Sequence, residues 1–186
     1  MNEFWVFGYG SLMWRPGFTP VESQPATLHG YHRGLCVYSV FHRGTQRHPG
    51  LVLGLDRGGA CRGQALRVGG GEAGSVLKYL RDRELITNVY VERQLGIRLD
   101  DGRRVEAIAY VVDRSHAQYA GRLPAAEAAR RVARSRGSSG DNRDYVAATL
   151  LHLREAGVRD PSLEAIGALI GVPPASRRVR RVSPRA

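Results

Sequence analysis

The stretch FWVFGYGSLMW, residues 4–14, decides how the chain is to be read. An apolar, strand-like run ends in Gly8-Tyr9-Gly10-Ser11 and then turns apolar again. A buried strand needs no pair of glycines at its end. Either the turn is tight around a buried Tyr9, or the chain is shaped to hold something small. Familiar glycine-rich motifs do not fit. A dinucleotide fingerprint needs a third glycine where Met13 stands, and a P-loop needs Gly-Lys-Ser/Thr, which is absent. A nucleophile elbow needs Gly-x-Ser-x-Gly, whereas Leu12 and Met13 follow Ser11, so Ser11 is not expected to be a nucleophile. What remains is physical: glycines beside consecutive N–H groups let a ligand come close, and such concave nests hold carboxylates.

Outward from this turn, residues 4–8 read as a first strand. Short β-type runs follow at 30–41, 50–56 and 61–68, punctuated by Gly and Asp. After Gly69-Gly70-Gly71 the period changes, and EAGSVLKYLRDREL places Val76, Leu77 and Leu80 on one side of a helix. Two further strands, VYVERQLGIRL and RRVEAIAYVV, flank Asp100-Asp101-Gly102, a hairpin signal because Asp-Gly tolerates positive φ. The rest is helical. One helix opens at Pro124 and closes at Gly137, a second ends on Gly157, and a third has Asp160 as its cap and Pro161 at its first position. Many strands with one inserted helix, then helices, predict an α+β fold with a curled or barrel-like sheet.

With 186 residues the chain suits one domain, expected over residues 1–175, with a basic, disordered tail, SRRVRRVSPRA, over 176–186. The formal net charge is +11. That charge normally points to nucleic acid, but it is nearly all arginine, with Lys78 the only lysine, and it is scattered outside the tail. Nucleic acid is therefore not expected as the main partner. Cys36 and Cys61 are the only cysteines and form neither a disulfide framework nor a zinc pattern. No leader is visible, and no window approaches the roughly 18 apolar residues of a membrane span. A cytoplasmic protein is expected.

Among chemistry-bearing residues, YLRDRELITNVY (79–90) sets Asp82 and Glu84 where a helix runs into a strand. For such a run a solvated, salt-bridged helix end is the favoured reading, and spacing alone does not make Glu84 catalytic. The six histidines form no metal-binding pair, and His42 and His48 read as surface groups in a Gly/Arg-rich loop.

Taken together, four segments resemble the ChaC family, the glutathione-specific γ-glutamylcyclotransferases. They are VFGYGSLMW, the block HGYHRGLCVYSVFHRGTQRHPGLVLGLDRGGACRGQAL, the helix end LRDRELITNVY, and GSSGDNRDYV with its Gly-x-x-Gly-x-Asn-x-x-Tyr pattern. They lie in order over residues 4 to 150. The resemblance implies a γ-glutamylcyclotransferase-like fold, a small mixed β-barrel with surrounding helices. It implies a substrate loop through Val6, Phe7, Gly8, Tyr9, Gly10 and Ser11, whose amides hold a γ-glutamyl group. It implies Glu84 as the catalytic acid/base and Tyr145 as a wall of the pocket. The chain departs from the family pattern at Asp82 and in its arginine-rich tail.

The reaction so implied is cleavage of glutathione to 5-oxoproline and Cys-Gly. The substrate's own α-amine attacks its γ-carbonyl, so the enzyme needs no nucleophile, cofactor or metal of its own. One carboxylate can take the proton from the ammonium and deliver it to the departing amine. The partner expected is the small-molecule substrate. Alternatives are a cyclotransferase for other γ-glutamyl amines, or a basic RNA-binding domain that kept the fold and lost the activity. The second would need aromatics interleaved with its basic residues, which the tail lacks.

Overall fold

A computed structural model describes residues 2–174. The expected tail at 176–186 lies outside the described residues. The first strand, β1 (Phe4–Gly8), leads through a 3₁₀ turn at Ser11–Met13 to two long strands, β2 (Glu22–Ser39) and β3 (Gly50–Val68). Helix α1 (Ala73–Glu84) follows, then the hairpin β4 (Tyr90–Leu99) and β5 (Arg104–Val112) around the Asp-Asp-Gly turn, with Gly102 at φ +93°. The strands close into a barrel in the order β1-β3-β2-β4-β5. Neighbours pair antiparallel except β1 and β5, which seal it in parallel, Val6 opposite Ile108.

Helix α2 (Ala125–Arg134), a minimal hairpin β6 (Arg136–Gly137) and β7 (Gly140–Asp141), and helices α3 (Asn142–Glu155) and α4 (Pro161–Leu169) complete the α+β fold. Asp160 caps α4 by accepting from the Leu163 N–H at 3.1 Å, with Pro161 in the first turn, as the sequence predicts. Among the described residues no helix is long and apolar enough to cross a membrane.

Alternation sets the two faces of β1. Phe7 points into the main core shared with Leu28, Leu55 and Ile97 and with α2–α4, while Val6 packs with Leu66, Val76 and Leu80 against α1. Both faces are buried, which is why this strand reads as a continuous apolar run rather than an alternating one.

Three expectations need correction. The second strand begins at Glu22, not at residue 30, and crosses Pro25, whose missing N–H does not interrupt the register with Gln64. The runs at 50–56 and 61–68 are one strand. Gly58 and Gly59, at φ +102° and +73°, do not turn the chain back but let a single strand continue past a register shift at His29/Tyr31 opposite. The helix expected to reach Gly137 stops at Arg134. Ser135 is extended, its hydroxyl bonds back to the Arg131 carbonyl and across to that of Pro49, and Gly137 packs so closely on Phe41 and His42 that a Cβ would lie 2.3 Å from the Phe41 carbonyl.

Candidate active site

Glu84 is the last residue of α1. The helix is held by Ala73, Val76 and Leu80, at i, i+3 and i+7 on the buried face. Truncating the fully buried Leu80 to Ala would cost about 2–5 kcal/mol. Arg81 and Arg83 occupy the last turn, where cations complement the helix dipole. The Glu84 side chain is 18% exposed and pairs through Oε1 with Arg83 Nε at 3.1 Å. Burial raises its pKa above the ordinary carboxylate value, and the Arg83 guanidinium offsets part of that rise. A buried carboxyl with a raised pKa suits proton exchange.

Opposite it, the end of β1 turns sharply. Gly8 leaves only 3.2 Å between a Cβ and Leu12, and Gly63 on β3 comes so close that a Cβ there would sit 2.4 Å from the Gly8 carbonyl. Arg33 holds the turn from beneath. It is 6% exposed, and its guanidinium donates to the carbonyls of Tyr9 and Arg62 and pairs with Asp160 at 3.3 Å. With the Tyr9 carbonyl so engaged, the N–H groups of Gly10, Ser11 and Leu12 find no backbone acceptor among the described residues. Sequence reasoning missed Arg33. Its signal was the phase of β2, in which Arg33 falls in step with the buried Leu35.

The third side is built from tyrosines. Strand β1 pairs only with residues 64–68 of β3, which leaves one edge of β3 open near Leu51 and Leu53. Helix α3 closes that edge with side chains. Asn142, fully buried, accepts from the Leu51 N–H at 2.7 Å and donates to the Leu51 carbonyl at 2.8 Å. The Tyr145 hydroxyl accepts from the Leu53 N–H at 3.1 Å, and the Tyr90 hydroxyl donates to the Leu53 carbonyl at 2.6 Å. This explains the Gly-x-x-Gly-x-Asn-x-x-Tyr pattern: Gly137 and Gly140 turn the chain so that Asn142 and Tyr145 can take the place of a missing strand. Burial pushes the Tyr9 and Tyr90 hydroxyls well above their usual range and that of Tyr145 up to about 12. All three are neutral phenols near pH 7.

These parts enclose a cavity of about 90 Å³. Of the residues expected at a site, it is lined by Tyr9, Gly10, Ser11, Glu84 and Tyr145, and also by Leu12, Leu53, Tyr90 and Tyr110, which were not expected. Val6, Phe7 and Gly8 do not line it; Val6 and Phe7 are fully buried in the two clusters on either face of β1. Drug-sized ligands typically fill about 300–1,000 Å³, so this cavity has room only for a small group. A larger cleft of about 760 Å³ runs past Arg33, Asp56 and Ile166. Its buried charged groups are already committed: Arg33 as above, and Asp56 to Arg114, Tyr119 and the Arg57 N–H. The proton-transfer group and the free amides are at the smaller cavity.

Ser11 is hydrogen-bonded to a guanidinium. Its Oγ accepts from Arg83 Nη2 at 2.8 Å. Both cysteines are buried and free, and burial raises the Cys36 thiol to about 12. Among the described residues no cluster of His, Cys, Asp or Glu could hold a metal ion. The arrangement can pass one proton through Glu84 and hold negative charge on loop amides.

The family model described as ChaC-like protein matches residues 4–172. The chain is 37% identical over 159 residues to the glutathione-specific gamma-glutamylcyclotransferase of Escherichia coli, a match covering 86% of this chain and 69% of that relative. It is 34% identical over 176 residues to glutathione-specific gamma-glutamylcyclotransferase 1 of Mus musculus, covering 91% and 79%. The crystal structure of the yeast gamma-glutamyl cyclotransferase specific to glutathione superposes with a TM-score of 0.81 at 22% identity, over 91% of this chain and 96% of that one. At that identity the superposition establishes the fold.

Proposed function

The chain belongs to the ChaC-like protein family, and from that premise we propose that it cleaves glutathione to 5-oxoproline and Cys-Gly, with Glu84 as general acid/base. The observation that carries the reading is the placement of the Glu84 carboxyl, buried and raised in pKa, at the same small cavity as the Gly10–Ser11 loop. The γ-glutamyl head of the substrate occupies the cavity, and the cysteinyl-glycine portion extends outside.

Three tasks follow for this chain's residues. The cavity folds the substrate so that its α-amine meets its γ-carbonyl; well-oriented intramolecular attack reaches effective molarities of about 10⁵ M or more. Glu84 takes a proton from the α-ammonium, and the freed lone pair closes a five-membered ring on the carbonyl carbon. The loop amides of Gly10 and Ser11 hold the oxyanion, a contribution worth about 10²–10³ in rate per donor. Collapse of the intermediate breaks the C–N bond to cysteine as Glu84 returns its proton to the departing amine, and the second proton of the ring nitrogen passes to that amine, leaving the neutral lactam and the Cys-Gly ammonium. Ser11 bound to a guanidinium rather than a base is in keeping with a substrate that supplies its own nucleophile. Tyr145 acts by shaping the wall through Leu53.

A second reading, turnover of other γ-glutamyl amines, rests on the size of the cavity, which grips the γ-glutamyl end and leaves the leaving amine outside. The proposed location is the cytoplasm, and two buried free thiols fit a reducing compartment.

The test is incubation of purified protein with glutathione and with N-acetyl-glutathione. Cyclisation gives 5-oxoproline from the first and no Cys-Gly from the second, since acetylation removes the nucleophilic lone pair. Free glutamate as the primary product, or turnover of the acetylated compound, overturns the mechanism.

A further inference from the structure

Arg83 contacts two residues that line the cavity, Ser11 and Glu84. Its Nε is 3.1 Å from Glu84 Oε1, its Nη2 is 2.8 Å from Ser11 Oγ, and its Nη1 donates to the Arg15 carbonyl at 2.7 Å and to the Tyr79 hydroxyl at 3.0 Å. One guanidinium thus ties the helix end that carries the general base to the loop that forms the cavity. We infer that Arg83 is a positioning residue for the proposed cyclisation: it fixes Glu84 by Oε1, leaving Oε2 as the atom that exchanges protons with the substrate amine, and turns the Ser11 hydroxyl into a donor aimed at the bound substrate.

The chemistry is a matter of counting hydrogens. A serine hydroxyl has one donor and two acceptor sites. With Oγ accepting from a cation, its proton is directed elsewhere, and Ser11 lines the cavity. A hydroxyl that accepts from a charged donor is itself the stronger donor, suited to a substrate carboxylate or carbonyl oxygen. The carboxylate is likewise divided. The fork geometry of arginine places Nε and Nη2 side by side, which a single ammonium could not reproduce. Lysine at this position would reach Ser11 or Glu84 and not both.

Arg83 also sets the charge balance at Glu84. The groups facing Glu84 from other elements are Tyr9 at the end of β1, Tyr90 on β4, Tyr110 on β5 and Tyr145 on α3, all neutral phenols with raised pKa values. Beyond Tyr110 lies Glu92, already paired with Arg81 at 2.7 Å. Arg83 is therefore the cation against Glu84, and it opposes the effect of burial.

The inference rests on the cyclotransferase reading, and the test has one arm that does not. In protein labelled at the glutamate carboxyl carbons, the Glu84 signal is identified by its loss in Glu84→Gln and titrated by NMR without substrate. In Arg83→Met the Glu84 titration moves to higher pH. In Arg83→Lys, which retains a cation and covers the case in which Met fails to fold, it stays near wild type. In the kinetic arm, Arg83→Met loses about tenfold or more in kcat/KM for glutathione, as expected for removal of hydrogen bonds to a charged group. The acid limb of its pH profile moves upward with the titration, while Arg83→Lys keeps the limb and raises KM. Adding Ser11→Ala to Arg83→Met has little further effect, because the two act through one contact. A residue that only staples the helix would scale the rate equally at every pH. An unmoved Glu84 titration in Arg83→Met overturns the inference whatever the substrate proves to be. Absence of 5-oxoproline from wild type overturns the cyclotransferase reading instead.

Discussion

Replacing Glu84 by Gln separates what the carboxyl does for the reaction from what it costs the fold. Gln has the same shape, and as a neutral amide it gives up the ion pair with Arg83. It cannot take up the ammonium proton. General acid–base groups contribute about 10²–10⁴ in rate, so kcat should fall by that factor, which corresponds to about 3–5 kcal/mol of barrier. Stability should move the other way. A carboxyl whose pKa is higher in the folded protein than in the unfolded chain favours folding while it is protonated, below the unfolded value of about 4.3. It loses that advantage as pH rises through the folded value. Burial raises Glu84 in this way, so at neutral pH the wild type carries a penalty that Gln does not. Each unit of displacement corresponds to about 1.4 kcal/mol, and each kcal/mol to about 2–4 °C of Tm in a chain of this size. Glu84→Gln should therefore melt higher than wild type at pH 8 and level with it near pH 4. Calorimetry across pH, beside a 5-oxoproline assay, reads both effects. Turnover within about tenfold of wild type would remove Glu84 from the mechanism, and a Tm difference independent of pH would refute the buried-carboxylate reasoning.

Gly63→Ala should both destabilise and impair, because its Cβ would meet the Gly8 carbonyl at 2.4 Å and the Phe7 ring at 2.7 Å. About 1–3 kcal/mol of overpacking is expected in denaturant melts, with a raised KM as the loop shifts; unchanged kinetics would detach the loop from the site. Asn142→Leu leaves the N–H and the carbonyl of Leu51 without their side-chain partners. At about 1–3 kcal/mol for each buried group, the urea midpoint should fall steeply, and an unshifted midpoint would mean that water replaces the amide.

Much of the fold was legible because its signals are local. The Asp-Asp-Gly turn, the Asp160 cap and the spacing of Val76 and Leu80 each depend on a handful of neighbouring residues, and each is found where the sequence places it. The long strands were not legible, because what joins 50–56 to 61–68 is the partner strand across from Gly58 and Gly59, and a glycine pair reads equally as a turn or as a bulge. The site divides along the same line. The Tyr9–Ser11 turn stands out as a motif and Glu84 through the family resemblance of its helix end, but Arg33, Tyr90 and Leu53 act through contacts between distant elements. Val6 and Phe7 share the loop motif because β1 must be buried on both faces, and their side chains serve the core.

The side chains that close the open edge of β3 tie the cavity to a helix far along the chain. The Leu51 and Leu53 amides are held by groups 91 and 92 residues further on, contacts whose loop-closure entropy makes them slow to form. A chain with its barrel complete but α3 undocked would have Glu84 in place and one wall of the cavity missing. Native-state amide exchange makes this visible: the two leucine amides should exchange together with the α3 backbone as one opening unit, while the bonded amides of the β1–β3 ladder wait for the barrel itself to open.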